Sequence, residues 1–172
     1  MAEILKLAFV GCGAISQFHL NGIRDRSVPV RITAAVDADP ERAGKLAAQT
    51  GAEVFASLDD ALSRGDFQAV DIMLPHDLHE TAAVTSLEAG KHVYVEKPIS
   101  HNVWEGRQLV NAARKYKKIV QTGTQARSAK CIQDAVKWVQ AGNLGKIITS
   151  RGLCNKRRKS IGDVADTKEV PR

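Results

Sequence analysis

Two short stretches of the chain hold residues whose types and spacing could do chemistry. The first is Gly11-Cys12-Gly13-Ala14-Ile15-Ser16, which follows an apolar run directly and opens a helical one. Gly11 allows a tight turn, Gly13 lets the backbone come close to a pyrophosphate, and the N–H groups around Ala14 and Ile15 offer the anion the positive end of a helix. Ser16 stands where this fingerprint prefers Gly or Ala, and it is small enough to keep the close helix packing. A lone Gly-rich turn is weak evidence. Its weight comes from a strand before it, a helix after it and an acid about 20 positions on at the end of the second strand. Asp37 is that acid. Its carboxylate would accept hydrogen bonds from the adenosine ribose and repel a 2′-phosphate. The expected cofactor is therefore NAD, with NADP less favoured and Arg42 the residue that would hold it. Asp37 could instead only cap the following helix, but Asp39 is better placed for that.

The second stretch is Lys91 to Pro98, KHVYVEKP. A buried parallel strand wants Val and Tyr, and a turn wants Gly, Asn or Asp, so packing does not account for Glu96, Lys97 and Pro98. The carboxyl end of a strand is where an open α/β sheet keeps its ligands. Unless Glu96 and Lys97 form an ordinary surface ion pair, Lys97 is a candidate for chemistry.

A regular alternation positions these residues. Ile4 to Val10 reads as a buried strand, Ala14 to Arg24 as a helix with Ile15, Phe18, Gly22 and Ile23 on one face, and Arg31 to Val36 as a second strand. Asp39 and Pro40 start the next helix and Gly51 stops it. A strand near Glu53 to Phe55, a helix over Leu58 to Ser63, the strand Ala69 to Leu74, the helix Leu78 to Ala89 and the strand His92 to Val95 follow. Then come a helix Val103 to Tyr116 and a strand Lys118 to Gln121. Six strands with crossover helices make a Rossmann-type, doubly wound parallel sheet of the α/β class. Beyond it, Ile132, Ala135, Val136 and Val139 recur at helical spacing, so Ala129 to Ala141 is an amphipathic helix with Gly142 as its stop. Lys146 to Leu153 could be one more strand, but it would have no ladder partner. The division expected is a nucleotide-binding domain over 1–124 and, over 125–172, the incomplete start of a second α/β domain.

With 172 residues, 44% hydrophobic and 26% charged, the chain has the makings of one good core and neither a disordered nor a fibrous composition. The apolar N-terminal stretch breaks at Lys6 and is too short to span a membrane. Cys12, Cys131 and Cys154 are odd in number and widely spaced, which fits reduced thiols in a cytoplasmic setting and implies no zinc site. Of the +6 net charge, much comes from Lys115, Lys117, Lys118 and the run Lys156-Arg157-Arg158-Lys159. That run could hold nucleic acid or a phosphate, but no aromatic platform or DNA-reading motif accompanies it, and a solvated loop is the expected reading.

With the Gly-rich turn, Asp37 and LPHDLHETAAVTSLEAGKHVYVEKP together, the sequence from Leu5 to about Gly162 resembles the Gfo/Idh/MocA family of glucose-fructose oxidoreductase and inositol dehydrogenase relatives. The resemblance implies hydride transfer between a nicotinamide and a hydroxyl-bearing carbon of a sugar, cyclitol or related polyol. It implies that Lys97 of Glu96-Lys97-Pro98 reaches the substrate hydroxyl beside the nicotinamide, where a lysine can exchange a proton or orient the hydroxyl. It implies a cis bond between Lys97 and Pro98. Leu74 and Pro75 match a segment lining the cofactor cleft, His79 the histidine of its P-x-x-x-H, and Gln125 a position where an amide meets the nicotinamide. His76 and His79 could form a metal pair, but no third ligand is evident. Trp104, His19 and His101 are read as packing or surface residues. Family enzymes continue through a whole further domain, of which residues 129 to 153 resemble the first helix and strand, and Arg151-Gly152-Leu153 with Ser160-Ile161-Gly162 a long substrate-facing loop. The chain is therefore expected to be truncated and inactive alone. A non-catalytic NAD-binding module or partner subunit is the alternative, and a homo-oligomer of the full-length form stays open.

Overall fold

The computed structural model describes residues 4–154, so Lys156 to Lys159 and Ser160-Ile161-Gly162 lie outside the described residues. In chain order the elements are β1 (Leu5–Val10), α1 (Ala14–Asp25), β2 (Val30–Val36), α2 (Pro40–Thr50), β3 (Glu53–Phe55), α3 (Leu58–Arg64) and β4 (Ala69–Ile72). A 3-10 turn (His76–Leu78), α4 (His79–Glu88), β5 (His92–Glu96), α5 (Val103–Tyr116), β6 (Val120–Gly123), a second 3-10 turn (Gln125–Ser128) and α6 (Lys130–Gln140) follow. The six strands pair in parallel in the order β3-β2-β1-β4-β5-β6. The order reverses between β1 and β4, and such a switch point opens a crevice outside the carboxyl ends of the strands. Val10, opposite Ile72, marks that point.

Alternation along each strand builds two cores. Ala8 and Val10 of β1 join Val70, Ile72, Val93 and Val95 under α4 and α5, while Leu7 and Phe9 join Leu20 of α1 and Ala43 and Leu46 of α2. Short side chains on the helices, such as Ala43, Ala82 and Ala83, let the helices approach the sheet closely.

Three expectations are corrected. The packed side of α1 is Ser16 and Leu20, not Ile15 and Phe18, which are 46% and 73% exposed. β6 begins two residues later than expected, because Lys117 takes a left-handed φ of 53° to end α5 and the Ile119 N–H bonds the His92 ring at 3.0 Å. Residues 146–153, where one more strand was possible, form none. A ladder needs a partner, and none is offered among the described residues.

The chain divides into two compact units, one ending at Ala129 and one starting at Lys130. In the second, α6 buries none of its side chains, and Ile132 and Val136 are both 47% exposed. No helix among the described residues is long and apolar enough to cross a membrane.

Candidate functional site

The turn after β1 is locked by glycine geometry. Gly11 has φ 93°, and a Cβ there would lie 2.7 Å from the Met73 carbonyl oxygen, so only glycine lets this turn pass so close to the end of β4. Its N–H donates to the Val36 carbonyl at 2.8 Å, tying the turn to β2. Gly13 is the N-cap of α1 and brings no side-chain cap, and a Cβ built on it would meet nothing within 4 Å. By contrast α2, α3 and α5 are capped by Asp39, Ser57 and Asn102. The open start of α1 thus leaves its first N–H groups, around Ala14 and Ile15, facing free space.

Asp37 closes this corner. Its carboxylate accepts the Cys12 N–H at 2.7 Å on one oxygen and the Asp39 N–H at 2.9 Å on the other, which leaves each oxygen a further lone pair. Asp39 does the capping of α2, accepting from the Glu41 N–H at 2.9 Å, and it also engages Arg42 Nε at 3.1 Å. An open backbone cradle, unpaired helix-start donors and a carboxylate with spare acceptor capacity suit a dinucleotide. Cys12 lies inside the same turn. Burial first, then the charge of Asp37, push its thiol up to about 12.

At the carboxyl end of β5, Lys97 and Pro98 are joined by a cis peptide bond. Lys97 is exposed, and its ammonium forms no salt bridge with Glu96 among the described residues. The Glu96 carboxylate instead accepts the Lys97 backbone N–H on Oε2 at 3.0 Å and meets His19 on Oε1. His79 is fully buried, with one ring nitrogen 2.7 Å from the Pro98 carbonyl oxygen and the other 2.8 Å from that of Leu74. It ties the loop after β4, where Pro75 leads into the 3-10 turn, to the residue after Lys97. Among the described residues no three His, Cys, Asp or Glu side chains are placed so that they could hold a metal ion, and His76 meets His79 ring to ring.

Sequence reasoning missed a cluster beneath this end of the sheet. His19, from α1, places Nδ1 2.7 Å from Asp71 Oδ2 and Nε2 3.1 Å from Glu96 Oε1, with Tyr94 edge-on at 5.8 Å between ring centres. Gly123 stands opposite Glu96, and a Cβ on it would lie 2.9 Å from Oε1, so the glycine makes room for that carboxylate. Burial pulls the His19 pKa down, but hydrogen bonds and charge from Asp71 and then Glu96 outweigh it, and the net shift is upward. Burial also raises Asp71, against the pull of His19. One signal was available: Asp71 is an acid in the middle of an apolar central strand.

Ile15, His19, Leu74, His79, Glu96, Lys97 and Gln125 line one cleft of about 1080 Å³, which runs along the β1, β4 and β5 face to the strands' carboxyl ends. Asp37 and the Gly11-to-Gly13 turn, joined through Cys12, form the neighbouring corner, where Gly11 passes too close to Met73 of the cleft lining to leave room for a Cβ.

Known proteins share this arrangement of chain. The Gfo/Idh/MocA model, described as an oxidoreductase family with an NAD-binding Rossmann fold, matches residues 5–124. An inositol 2-dehydrogenase of Corynebacterium glutamicum is 30% identical over 165 residues, covering 95% of this chain and 48% of that protein. The WlbA dehydrogenase of Bordetella pertussis, solved with NADH and UDP-GlcNAcA, superposes with a TM-score of 0.79 at 29% identity, covering 85% of this chain and 42% of that one. The scyllo-inositol dehydrogenase of Lactobacillus casei, solved with NAD(H) and scyllo-inositol, gives 0.77 at 26% identity, covering 83% and 43%. This chain spans about half the length of the curated relatives it matches. With the Gly-rich turn, the strand order and the family model in agreement over most of its length, the chain belongs to the Gfo/Idh/MocA oxidoreductase family.

Proposed function

We propose that this chain is the nucleotide-binding part of an NAD-dependent dehydrogenase that oxidises a secondary hydroxyl on a polyhydroxylated ring, a cyclitol or sugar. The observation that carries the reading is the pairing of an open backbone turn at Gly11 to Ile15 with an exposed Lys97 side chain, without a salt bridge among the described residues, at the carboxyl end of the same sheet. The relatives named for inositol and the neighbour solved with UDP-GlcNAcA support the substrate class. A bound nicotinamide supplies the hydride acceptor. The chain's own residues do the rest: the start of α1 and Asp37 hold the phosphates and ribose, Leu74, Pro75 and Gln125 form walls beside them, and Lys97, as the neutral amine, takes up the hydroxyl proton at Nζ while the hydride leaves the carbon that bears that hydroxyl. His79 keeps the loops after β4 and β5 together.

NAD is favoured over NADP because Asp37 sets a negative charge at the ribose corner, while Arg42, the group that could answer a 2′-phosphate, is already engaged by Asp39. Calorimetric titration of both reduced cofactors tests this. Tighter NADH binding is expected, with the preference narrowed in Asp37→Ala. Equal or tighter NADPH binding would remove the ribose role of Asp37. For catalysis, inositol and a panel of aldoses are assayed with NAD, using this chain, this chain extended with a relative's C-terminal domain, and the extended form carrying Lys97→Ala. Turnover is expected only from the extended form with Lys97 intact. Cofactor binding with no turnover in any form would make the chain a non-catalytic NAD-binding module.

A further inference from the structure

The geometry points to His19 as the positioning residue of this site: an imidazolium that holds the Glu96 carboxylate against the Lys97 backbone and thereby sets where Lys97 stands at the cleft. Both His19 nitrogens face carboxylates, at 2.7 Å and 3.1 Å. A neutral imidazole carries one N–H and would turn a lone pair toward one of the two acids; only the doubly protonated ring donates to both. The Glu96 oxygen that His19 does not touch accepts the Lys97 N–H at 3.0 Å, so an unbroken line of hydrogen bonds runs from Asp71 in the centre of the sheet to the backbone of Lys97.

The cost of this arrangement argues for a use. The side chains of His19, Asp71 and Glu96 are only 16%, 6% and 12% exposed, and Asp71 Oδ1 is buried without a hydrogen-bond partner among the described residues. Apolar side chains of similar volume commonly stabilise a fold as well as a buried ionic group does. What they cannot do is fix a carboxylate at a strand end beside an exposed lysine.

The groups facing His19 come from two strands: Asp71 of β4, and Tyr94 and Glu96 of β5. His76, His92, Arg26 and Lys97 line the same cleft and make no hydrogen bond to the ring. With two carboxylates against one ring, His19 keeps its proton above the ordinary histidine range, and loss of that proton at higher pH releases Glu96.

The structural part of this inference stands without any reaction; its catalytic consequence rests on the proposed hydride transfer. The first test therefore uses the 172-residue chain with no nucleotide or polyol. Imidazole nitrogen spectra should show both His19 nitrogens protonated at pH 7, and the Lys97 amide resonance should titrate with the same midpoint. Asp71→Asn should lower that midpoint, and His19→Gln should abolish the titration of the Lys97 amide. A neutral His19 at pH 7, or a Lys97 amide that ignores it, overturns the proposal. If His19→Gln fails to fold, the Asp71→Asn midpoint decides alone.

The second test is kinetic, in the extended form. His19→Gln should lower kcat roughly 100-fold, the scale of loss from misplacing a catalytic group by about 1 Å, with KM changed by no more than about twofold. The parent's kcat should fall as pH rises through the midpoint seen in the spectra. An unchanged kcat overturns the catalytic consequence. Absence of turnover in every form refutes the reaction reading instead, and the spectra then decide the role of His19.

Discussion

A thiol in the middle of the Gly-rich turn after β1 invites the thought of redox control, yet Cys12 is chemically quiet. Moving a thiol from 9.0 to about 12 leaves about 1 in 10,000 as thiolate at pH 8, and the thiolate is the reactive form. Iodoacetamide at pH 8 should label the exposed Cys131 and Cys154 and spare Cys12 until the chain is unfolded, as peptide mass spectrometry would show. Rapid native labelling of Cys12 would contradict the burial. Its neighbour Gly11 is the less replaceable residue. Gly11→Ala meets both a positive φ and the Met73 oxygen at 2.7 Å, so it should lose about 1–3 kcal/mol in denaturant unfolding. The tight turn at Gly11, the helix start at Gly13 and the place of Asp37 just after β2 were legible in the sequence because they follow from local spacing. His19 and Asp71 were not. They stand 52 positions apart, and His19 and Glu96 stand 77 apart, so only the sheet order brings them together.

Helix ends were more legible than strand ends, for a physical reason. Asp39-Pro40 and Gly51 satisfy or terminate backbone groups locally, whereas a strand ends where its neighbour stops pairing. The β6 slip shows this: its bounds follow Val93↔Val120 pairing, which no local residue announces. The misread face of α1 has a related cause. Periodicity finds the apolar stripe, but the packed side here is the one that brings Ser16 and His19 to the sheet. Local signals do hold at α5, where Asn102 Oδ1 accepts the Glu105 N–H at 3.0 Å and Glu105 accepts the His101 N–H at 2.7 Å. Asn102→Ala removes this reciprocal cap and should destabilise the chain by about 1 kcal/mol, read as a lower urea midpoint with an unchanged slope.

Taken across the molecule, the alternation of strands and helices was enough to foresee a doubly wound sheet, because crossover connections leave few topologies open. The electrostatics of the fold were not foreseeable, and they make stability depend on pH. His19 is raised from 6.5 in the folded chain, so the native state binds its proton more tightly than the unfolded one. That contribution is complete below pH 6.5 and is lost as pH rises through the folded value. Asp71, also raised, acts in the same sense from 3.8 upward. The stability difference between the parent and His19→Gln should therefore be largest near pH 6 and shrink toward pH 9, as measured by urea unfolding across that range. A difference that grows with pH would reverse the assigned sign.

Both margins of the sheet are abrupt: β3 offers three residues and β6 four. A foreign strand laid against either would find too few backbone groups to hold it, since edge-to-edge growth needs a long, flat ladder. At high concentration, then, self-association of this sheet should proceed through side chains and reverse on dilution, and its borders should be poor templates for fibrils.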